Sequence, residues 1–402
     1  MLLRDEQDIL TQVSPDSDCG AWLRSYWFPI AISDLWEGER SQLQLVEPMI
    51  FKGRAGTPTT FGMEQGDFHG QPTTIRLLGE DLVLYRDLSG TLGLVGVKCP
   101  HRSSSLEYGR PRDRGLACHY HGWTFDETGK CLAMPGEPAD SNFKDKIRHT
   151  AYPVREQGGL IWAYLGSAEP PALPQLDVIA RDDGVRVVEN FCIWPANWLQ
   201  IVENSVDQVH TGILHGEGSS RADVWSQVPE VDWVGDDLGI QTIQIRGDYG
   251  RTNYLRLPTT ILLNQPWPGG EFSWPRYSAI FRTPVDNNHT QLFHLTFIPE
   301  IDGERPVLPE GLQFPVAEFV QTLFEQDYRA IVSQGRPVDR AIERLGTTDR
   351  GIIMLRKMVL DGIEAVRRGA DPNGVLRGAD GDQLLVSSDK VTDGFMSTQA
   401  AQ

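Results

Sequence analysis

The residue types best suited to redox chemistry lie in two short segments separated by sixteen residues. The first has the pattern Cys-x-His, with Cys99 and His101, and the second has the pattern Cys-x-x-His, with Cys118 and His121. Zinc also binds two cysteines and two histidines, but zinc fingers group cysteine with cysteine and histidine with histidine. One thiol and one imidazole from each segment instead suit two irons, one held by both cysteines and the other by both histidines. We therefore predict a cluster of two irons here and keep structural zinc as the alternative.

The residues beside these ligands indicate the kind of cluster. Two histidines in place of two cysteines give the Rieske [2Fe–2S] type, whose reduction potential is raised. High-potential Rieske proteins carry a further cysteine in each segment, and those two form a disulfide. Ser104 and Tyr120 stand at the matching positions, so the cluster resembles the lower-potential kind of oxygenases and their ferredoxins. His119 lies between two ligands and is expected to be a loop imidazole.

A second set of metal-binding residue types surrounds His210. On one continuous helix, Glu203, Asp207 and His210 would share a face, because they are spaced by four and three residues. His215 lies five residues beyond His210, too far round an ideal helix to share that face. Gly212 lies between the two histidines, and we expect the backbone to bend there so that both imidazoles reach one metal. Glu203 could either hydrogen-bond near this site or support the helix.

Two histidines need a carboxylate to complete a facial triad, which leaves open positions on iron(II) for oxygen and is typical of non-haem oxygenases. Asp327 is the first candidate for this carboxylate, Glu325 is the second, and Asp349 is the third. The alternative for His210 and His215 is a pair of imidazoles satisfied at a helix end.

Composition limits the class of protein. The chain has 402 residues, which suggests two domains, and 40% hydrophobic with 23% charged residues is typical of a globular protein. The net charge of -18 argues against nucleic acid or anionic membrane surfaces as partners. No apolar run approaches the ~18 residues of a membrane span, and the first residues lack the apolar core of a signal peptide. We therefore expect a cytoplasmic protein.

The cysteine count argues against a disulfide framework. The chain has five cysteines, and two of them are assigned to the cluster, which leaves an odd number of three.

Short strand patterns predict an antiparallel β domain over residues 30–166 that carries the cluster segments. The predicted strands are Ile75–Leu78, Leu82–Tyr85, Leu92–Val95 and Leu160–Leu165. Residues 1–29 form an N-terminal segment, and the aromatic residues that begin at Trp22 are expected to anchor it. The Gly-rich residues 52–73 predict a loop.

The proline-rich residues 167–174 predict a linker, and the pattern changes after it. Segregated helices and strands predict an α+β catalytic domain over residues 175–369, followed by a tail, residues 370–402, that runs extended over a surface or is partly disordered. Helices are predicted at 197–215, 315–329 and 348–368, and strands at Ile240–Ile245, Asn253–Leu257, Tyr277–Phe281 and Gln291–Phe297.

Together these features resemble a known family. The Rieske segments, the Asn197-Trp198 pair, the run from Glu203 and Asn204 to His215, and the late Glu-Gln-Asp of residues 325–327 are similar to the Rieske non-haem iron oxygenases. Within that family the chain looks like the α (oxygenase) subunit of aromatic ring-hydroxylating and O-demethylating enzymes, in the phthalate-dioxygenase-like, α-only branch.

The resemblance implies a fold, an assembly and a role for each site residue. The fold would be a Rieske β domain followed by a helix-grip catalytic domain with a central antiparallel sheet, assembled as a homotrimer. Asp207 would bridge electron transfer by contacting a cluster histidine of the neighbouring subunit and an iron-ligand histidine of its own. The remaining ligands would be Cys99, His101, Cys118 and His121 for the [2Fe–2S] cluster, and His210, His215 and Asp327 for the mononuclear iron.

The resemblance also implies an oxygenase component that uses O₂ to hydroxylate or O-demethylate an aromatic substrate, with an aromatic acid as the expected class. The chain lacks a dinucleotide-binding glycine motif and a plant-ferredoxin cysteine motif, so its electrons should come from a separate NAD(P)H-dependent reductase, directly or through a ferredoxin. An electron-transfer protein without oxygenase activity is the alternative function.

Residues 215–325 are expected to build the substrate pocket. An inward arginine could bind a substrate carboxylate with two hydrogen bonds, and exposure to solvent is the alternative for each candidate. The candidate arginines are Arg251, Arg256, Arg276 and Arg282. The aromatic candidates, each of which could equally be core, are Trp267, Phe272, Trp274, Tyr277, Phe281 and Phe293.

Overall fold

The computed structural model describes residues 4–35, 39–40, 68–216, 226–247, 249–265, 276–306, 316–336 and 338–378. Within these ranges the first half of the chain forms three small antiparallel sheets, of strand order β1-β12-β11, β10-β5-β4-β3 and β6-β7-β8-β9. The strands are β1 Trp27–Ile32, β2 Glu39–Arg40, β3 Thr73–Leu77, β4 Glu80–Arg86, β5 Leu92–Gly96, β6 Arg110–Pro111, β7 Leu116–Ala117, β8 Thr124–Phe125, β9 Cys131–Ala133, β10 Ala151–Tyr152, β11 Val154–Gln157 and β12 Leu160–Tyr164.

The second half is organised by an eight-stranded sheet of order β14-β15-β16-β17-β18-β19-β13-β2, in which β2 alone runs parallel to its neighbour. Its further strands are β13 Gly184–Trp194, β14 Glu230–Asp236, β15 Gly239–Arg246, β16 Tyr249–Arg256, β17 Thr260–Gln265, β18 Arg276–Asp286 and β19 His289–Pro299. The helices are α1 Arg4–Thr11, α2 Asp18–Leu23, α3 Asp177–Ala180, α4 Trp198–Val206, α5 Val209–Leu214, α6 Val316–Ser333 and α7 Arg350–Arg367. The α+β class and the central antiparallel sheet are confirmed.

The predicted strands and the two late helices all form, with limits that differ by a few residues. The sequence patterns missed the long strands β1, β13, β14 and β17 and the shorter strands β2 and β6 to β11. β14 lies at the edge of the sheet with mostly exposed residues, so it lacks the alternation that marks a half-buried strand. Of the loop predicted at 52–73, residues 52–67 lie outside the described residues. Of the predicted tail, residues 379–402 lie outside them.

Aromatic packing anchors the N-terminal segment, as predicted. The Trp22 indole is fully buried, and its ring centroid lies 5.8 Å from that of Trp198 at the start of α4. A Cβ at Gly362 of α7 would stand 2.4 Å from the Trp22 ring, so only glycine permits this approach. Near the other end of the described chain, the Tyr26 hydroxyl donates to the Asn373 carbonyl at 2.6 Å. Both ends therefore pack against the domain.

Within the described ranges, no helix has both the length and the apolar character that a membrane span requires.

A buried ion network fixes helix α4. Glu203 accepts from Arg340 at 2.9 Å and from Arg356 at 2.7 Å, and Arg356 also pairs with Glu343 at 2.7 Å. Glu203 therefore supports the helix and does not face the histidines, which corrects the expectation of one face shared with Asp207 and His210. The network ties α4 to α7 and to the turn before it.

Changing Glu203 to alanine should lower the free energy of unfolding by about 3–5 kcal/mol, because it leaves two buried guanidinium groups without their shared carboxylate. Unfolding in guanidinium chloride would measure this loss, provided that the slope of the free energy against denaturant concentration is unchanged. Glu364→Ala is the matched control, since Glu364 forms only exposed ion pairs on α7, and it should change the free energy by less than about 0.5 kcal/mol. Equal effects of the two substitutions would contradict the network's role.

Candidate metal centres

Two tight turns hold the four predicted cluster ligands. The Cys99 amide donates to the Ser104 carbonyl at 2.9 Å, and the Gly122 amide donates to the Cys118 carbonyl at 2.9 Å. Gly122 has a φ of +74°, and a Cβ there would lie 3.0 Å from the Pro135 ring. Glycine is therefore required at the point where the second segment turns back. The turns bring the two segments together beside β5 and β7.

The donor groups of this first centre suit a cationic cluster. The ring centroids of His101 and His121 lie 4.5 Å apart, and both Cys99 and Cys118 are buried. Burial raises the pKa of Cys99 to about 11, and the neighbouring Cys118 adds to the effect. Nδ1 of His101 is buried and has no hydrogen-bond partner among the described residues. Two buried thiols ionise readily only beside positive charge, which bound iron would supply.

A single zinc ion fits this centre less well. Zinc–ligand bonds of roughly 2.0–2.3 Å require all four donor atoms to surround one point. Among the described residues, one group of three histidine, cysteine or acidic side chains can offer one donor atom each, all within 4.8 Å of one another. That group lies at the second centre, described below. Two irons, one for the two thiols and one for the two imidazoles, would use the same four donors in pairs.

The second centre begins at a break between α4 and α5, not at Gly212. Asp207 has extended backbone angles, φ −86° and ψ 111°, and ends α4. Its Oδ1 accepts from the Val209 amide at 3.0 Å and from the His210 amide at 3.4 Å, as a capping carboxylate does at a helix start. The prediction of one helix over 197–215 is therefore wrong, because this carboxylate stabilises a new helix start.

Gly212 has a different role from the predicted bend. It lies inside α5, and a Cβ there would come within 2.6 Å of the Gln227 carbonyl oxygen. Glycine thus allows α5 to approach the segment before β14. Close packing, and not bending, explains this residue.

The break brings His210 and His215 to one carboxylate. Oδ1 of Asp327 on α6 lies 3.6 Å from Nε2 of His210 and 3.2 Å from Nε2 of His215. One ligand atom from each residue lies within 4.8 Å of the others, which makes this the group noted above. Two imidazoles and one carboxylate around one point are the donor set of a mononuclear non-haem iron(II) site.

The other two carboxylate candidates have partners elsewhere. Glu325 pairs with Arg329 one turn along the same helix. Asp349 accepts from the Gly346 amide at 2.6 Å. Asp327 is thus the candidate that the fold brings to the histidines.

Neighbouring polar groups orient the two imidazoles. Nδ1 of His215 lies 2.8 Å from the Gln326 amide oxygen, so a proton on Nδ1 leaves Nε2 free to bind metal. Oδ2 of Asp207 lies 3.5 Å from Nδ1 of His210, so the carboxylate faces this imidazole. The Asn204 amide nitrogen lies 3.3 Å from Nε2 of His210. Gln326 was not among the predicted site residues, and its only signal in the sequence is its place beside Asp327.

The charge state of Asp207 suits this contact. Burial acts to raise the pKa of its carboxyl, but hydrogen bonding and charge from His210 and the Val209 amide outweigh burial and lower it. Asp207 is therefore ionised at neutral pH. Its side chain keeps 31% exposure, so one edge of the carboxylate stays accessible.

The aromatic residues expected in a substrate pocket are core where the structure describes them. Phe281 and Phe293 are buried on the sheet face that packs against the first half of the chain, where Phe281 meets Trp162 with 5.0 Å between ring centroids. Tyr277 packs beside the same cluster. The remaining candidates, Trp267, Phe272 and Trp274, lie outside the described residues.

The four candidate arginines have different environments. Arg256 pairs with Asp236 at 3.3 Å, and Arg251 is half-buried. Arg282 is buried, with 6% exposure. The side chain of Arg276 lies outside the described residues. Of the candidate arginines whose side chains the structure describes, Arg282 is the most deeply buried.

Comparisons with known proteins agree with one another. The family model described as the Rieske [2Fe-2S] domain matches residues 61–153. The chain is 33% identical to the 5,5'-dehydrodivanillate O-demethylase oxygenase subunit of Sphingobium sp. (strain NBRC 103272 / SYK-6), over 94% of this chain and 84% of that one. It is 28% identical to the phthalate 4,5-dioxygenase oxygenase subunit of Pseudomonas putida, over 92% and 88%. The solved structure of Pseudomonas putida CBB5 NdmA has the same fold, with a TM-score of 0.64 at 21% identity over 88% and 94%.

Changing His210 to alanine should remove metal from the second centre and leave the first intact, because separate elements build the two centres. Iron per chain and the visible absorption of the cluster would measure both effects. His289→Ala is the control, since His289 pairs with Asp286 in a hairpin turn outside both centres. Loss of the visible bands in His210→Ala would show that the two centres are not independent.

Changing Gln326 to alanine should weaken iron(II) binding at the second centre by about 10- to 100-fold, because His215 loses the group that sets its tautomer and orientation. Competition with a chelator would measure the affinity. Glu325→Ala on the same helix is the matched control and should leave the affinity unchanged. Weaker binding in the control alone would instead support Glu325 as the ligand.

Proposed function

The chain belongs to the oxygenase subunits of the Rieske non-haem iron oxygenases, and from this membership we propose that it hydroxylates or O-demethylates an aromatic acid. It is an oxidoreductase and the oxygenase component of a multicomponent system, and it uses a Rieske [2Fe–2S] cluster and a mononuclear non-haem iron. The alternatives of a simple electron carrier and of a zinc-stabilised protein are therefore set aside.

The observation that carries the proposal is the convergence of His210, His215 and Asp327 from two separate helices. When bound, the cluster supplies single electrons and the mononuclear iron activates O₂. In the proposed assignment, the three converging side chains hold the iron. Gln326 and Asp207 keep both imidazoles in position, and the cluster ligands are Cys99, His101, Cys118 and His121.

Asp207 is proposed to connect the two kinds of centre. Its carboxylate contacts His210, is ionised, and keeps an accessible edge. On the cluster side, His121 is half-buried and lies beside the exposed ring of Tyr120, 3.8 Å between centroids. A homotrimer would let the cluster of one subunit approach Asp207 of the next. Asp207 would then accept a hydrogen bond from a histidine of each centre.

We retain the domain limits expected from the sequence as part of the proposal. They are residues 1–29, 30–166, 167–174, 175–369 and 370–402. The absence of helix and strand from 167 to 174 supports the linker. The pairing of β2 with β13 ties the two larger units together across this boundary.

The substrate class and the partners form the finer part of the proposal. The names of two relatives contain dehydrodivanillate and phthalate, which are aromatic carboxylates. A separate NAD(P)H-dependent reductase would supply electrons, directly or through a ferredoxin. We place the protein in the cytoplasm, where NAD(P)H is available.

An iron and acid-labile sulfide count, with an electron paramagnetic resonance spectrum of the reduced protein, tests the proposal. We expect about three irons and two sulfides per chain and a Rieske-type signal. Oxygen uptake with methoxybenzoates in the presence of a reductase should follow. Only about two irons per chain, with no oxygen uptake after iron(II) is added, would contradict the proposed chemistry.

Changing Asp207 to alanine should leave both metal contents largely intact and slow the oxidation of the reduced cluster by O₂ and substrate by about 10- to 100-fold. Stopped-flow absorption of the cluster would measure this rate. Asp236→Ala, in an exposed hairpin, is the control. An undiminished rate in Asp207→Ala would exclude the connecting role.

A further inference from the structure

Arg282 lies on the sheet face that covers the second metal centre. It is in β18, where it pairs with Leu292 of β19. Side chains two residues apart in a strand share a face, so Arg282 lies on the same side as Ile280. Ile280 and Leu292 pack in one cluster with Tyr328, which follows Asp327 on α6. Arg282 is therefore buried between the sheet and the helices of the centre.

Arg282 differs from the other buried arginines in its partners. Of the five buried arginines in the described part of the chain, the other four bind a side-chain oxygen of a glutamate, glutamine or threonine. For Arg282 the described residues provide only two backbone carbonyls, those of Thr259 and Ile280, each 3.5 Å from Nη1. No described carboxylate lies within ion-pair distance of it.

The unused part of the guanidinium is one whole edge. Nε is buried and has no partner among the described residues, and both carbonyl contacts use Nη1. Nε and Nη2 carry parallel N–H groups on the same side of the planar group. This edge matches the two oxygens of a carboxylate, which accept one hydrogen bond each.

Charge balance at the centre also calls for an anion. Burial lowers the pKa of Arg282 to about 9, and the Asp327 carboxylate acts to raise it. Asp327, however, faces the two histidines, where a metal would take its charge. Iron(II) with one carboxylate keeps one surplus positive charge, and Arg282 adds a second in a buried space. A buried cation without an anionic partner is costly, so an anion that arrives with the substrate would be strongly favoured.

We propose that the free edge of Arg282 binds the carboxylate of an aromatic acid whose other end faces the mononuclear iron. The inference rests on the proposed function and deepens it, since it names the group that selects acids over neutral aromatics. The two N–H groups satisfy both carboxylate oxygens, whereas the amide oxygen of a neutral analogue can accept from the same edge but brings no negative charge. Discrimination thus arises from a charge-assisted pair of hydrogen bonds.

The test compares binding of matched acids and amides to the iron-loaded protein under argon by calorimetry. The probes are benzoate, phthalate and meta-methoxybenzoate, each beside its primary amide. The wild type should bind at least one acid about 10- to 100-fold more tightly than its amide, as expected for hydrogen bonds to a charged group. Arg282→Met should abolish this ratio, and Arg282→Lys, which keeps the charge but loses the edge, should retain only part of it.

Arg256→Met is the matched control, because Arg256 lies on the same sheet but pairs with Asp236 at the surface, and it should keep the wild-type ratio. Cluster absorption and the thermal midpoint report folding of each variant. If Arg282→Met does not fold, the ratio of acid affinity to amide affinity in Arg282→Lys decides whether the assignment holds.

A wild type without preference for any acid, or a Met variant that keeps the preference, would overturn the assignment and leave Arg282 as a structural cation. The iron count separates this from failure of the proposed function: a full second centre with no acid preference overturns only the role of Arg282, whereas a missing second iron overturns the function.

Discussion

The geometry of the second metal centre depends on the break in the backbone between α4 and α5. Asp207 ends one helix, accepts from the first amides of the next, and faces the imidazole of His210. Without this break, His210 and His215 would lie on different faces of one helix. The same carboxylate therefore caps the start of α5 and faces the His210 imidazole, which explains why a polar residue occupies this position among buried neighbours.

The elements around this break keep it in place. Glu203 and its two arginines fix α4 from one side, and Gly212 lets α5 lie against the backbone near Gln227. Asp327, the proposed third ligand, and Gln326, which contacts His215, are adjacent residues of α6. A displacement of α6 would thus affect the carboxylate and the imidazole together, which makes the packing of this helix on the sheet a direct determinant of metal geometry.

The two centres differ in how they are built, and this suits their different tasks. Tight turns and a glycine with positive φ hold the cluster segments, so the first centre is a local and rigid feature close to the surface. The second lies between helices and a sheet, and the sheet strand β18 carries the buried Arg282. Electron transfer needs little reorganisation, whereas substrate selection needs an enclosed space with a few oriented polar groups.

Local sequence determined the features that a few neighbouring residues create. The candidate ligand segments of the cluster, the His210 and His215 pair, eight of the nineteen described strands and the late helices could be predicted because turn chemistry, short spacing and periodicity act within about ten residues. Asp327 was a candidate among three, since nothing in the chain says which acid faces a histidine more than 100 residues earlier. Only the tertiary structure distinguished it from Glu325 and revealed the contact of Gln326. It also decided that Arg282 is buried while Arg256 is not, because the burial of a strand residue depends on which face the helices cover, and that is a property of packing between distant segments.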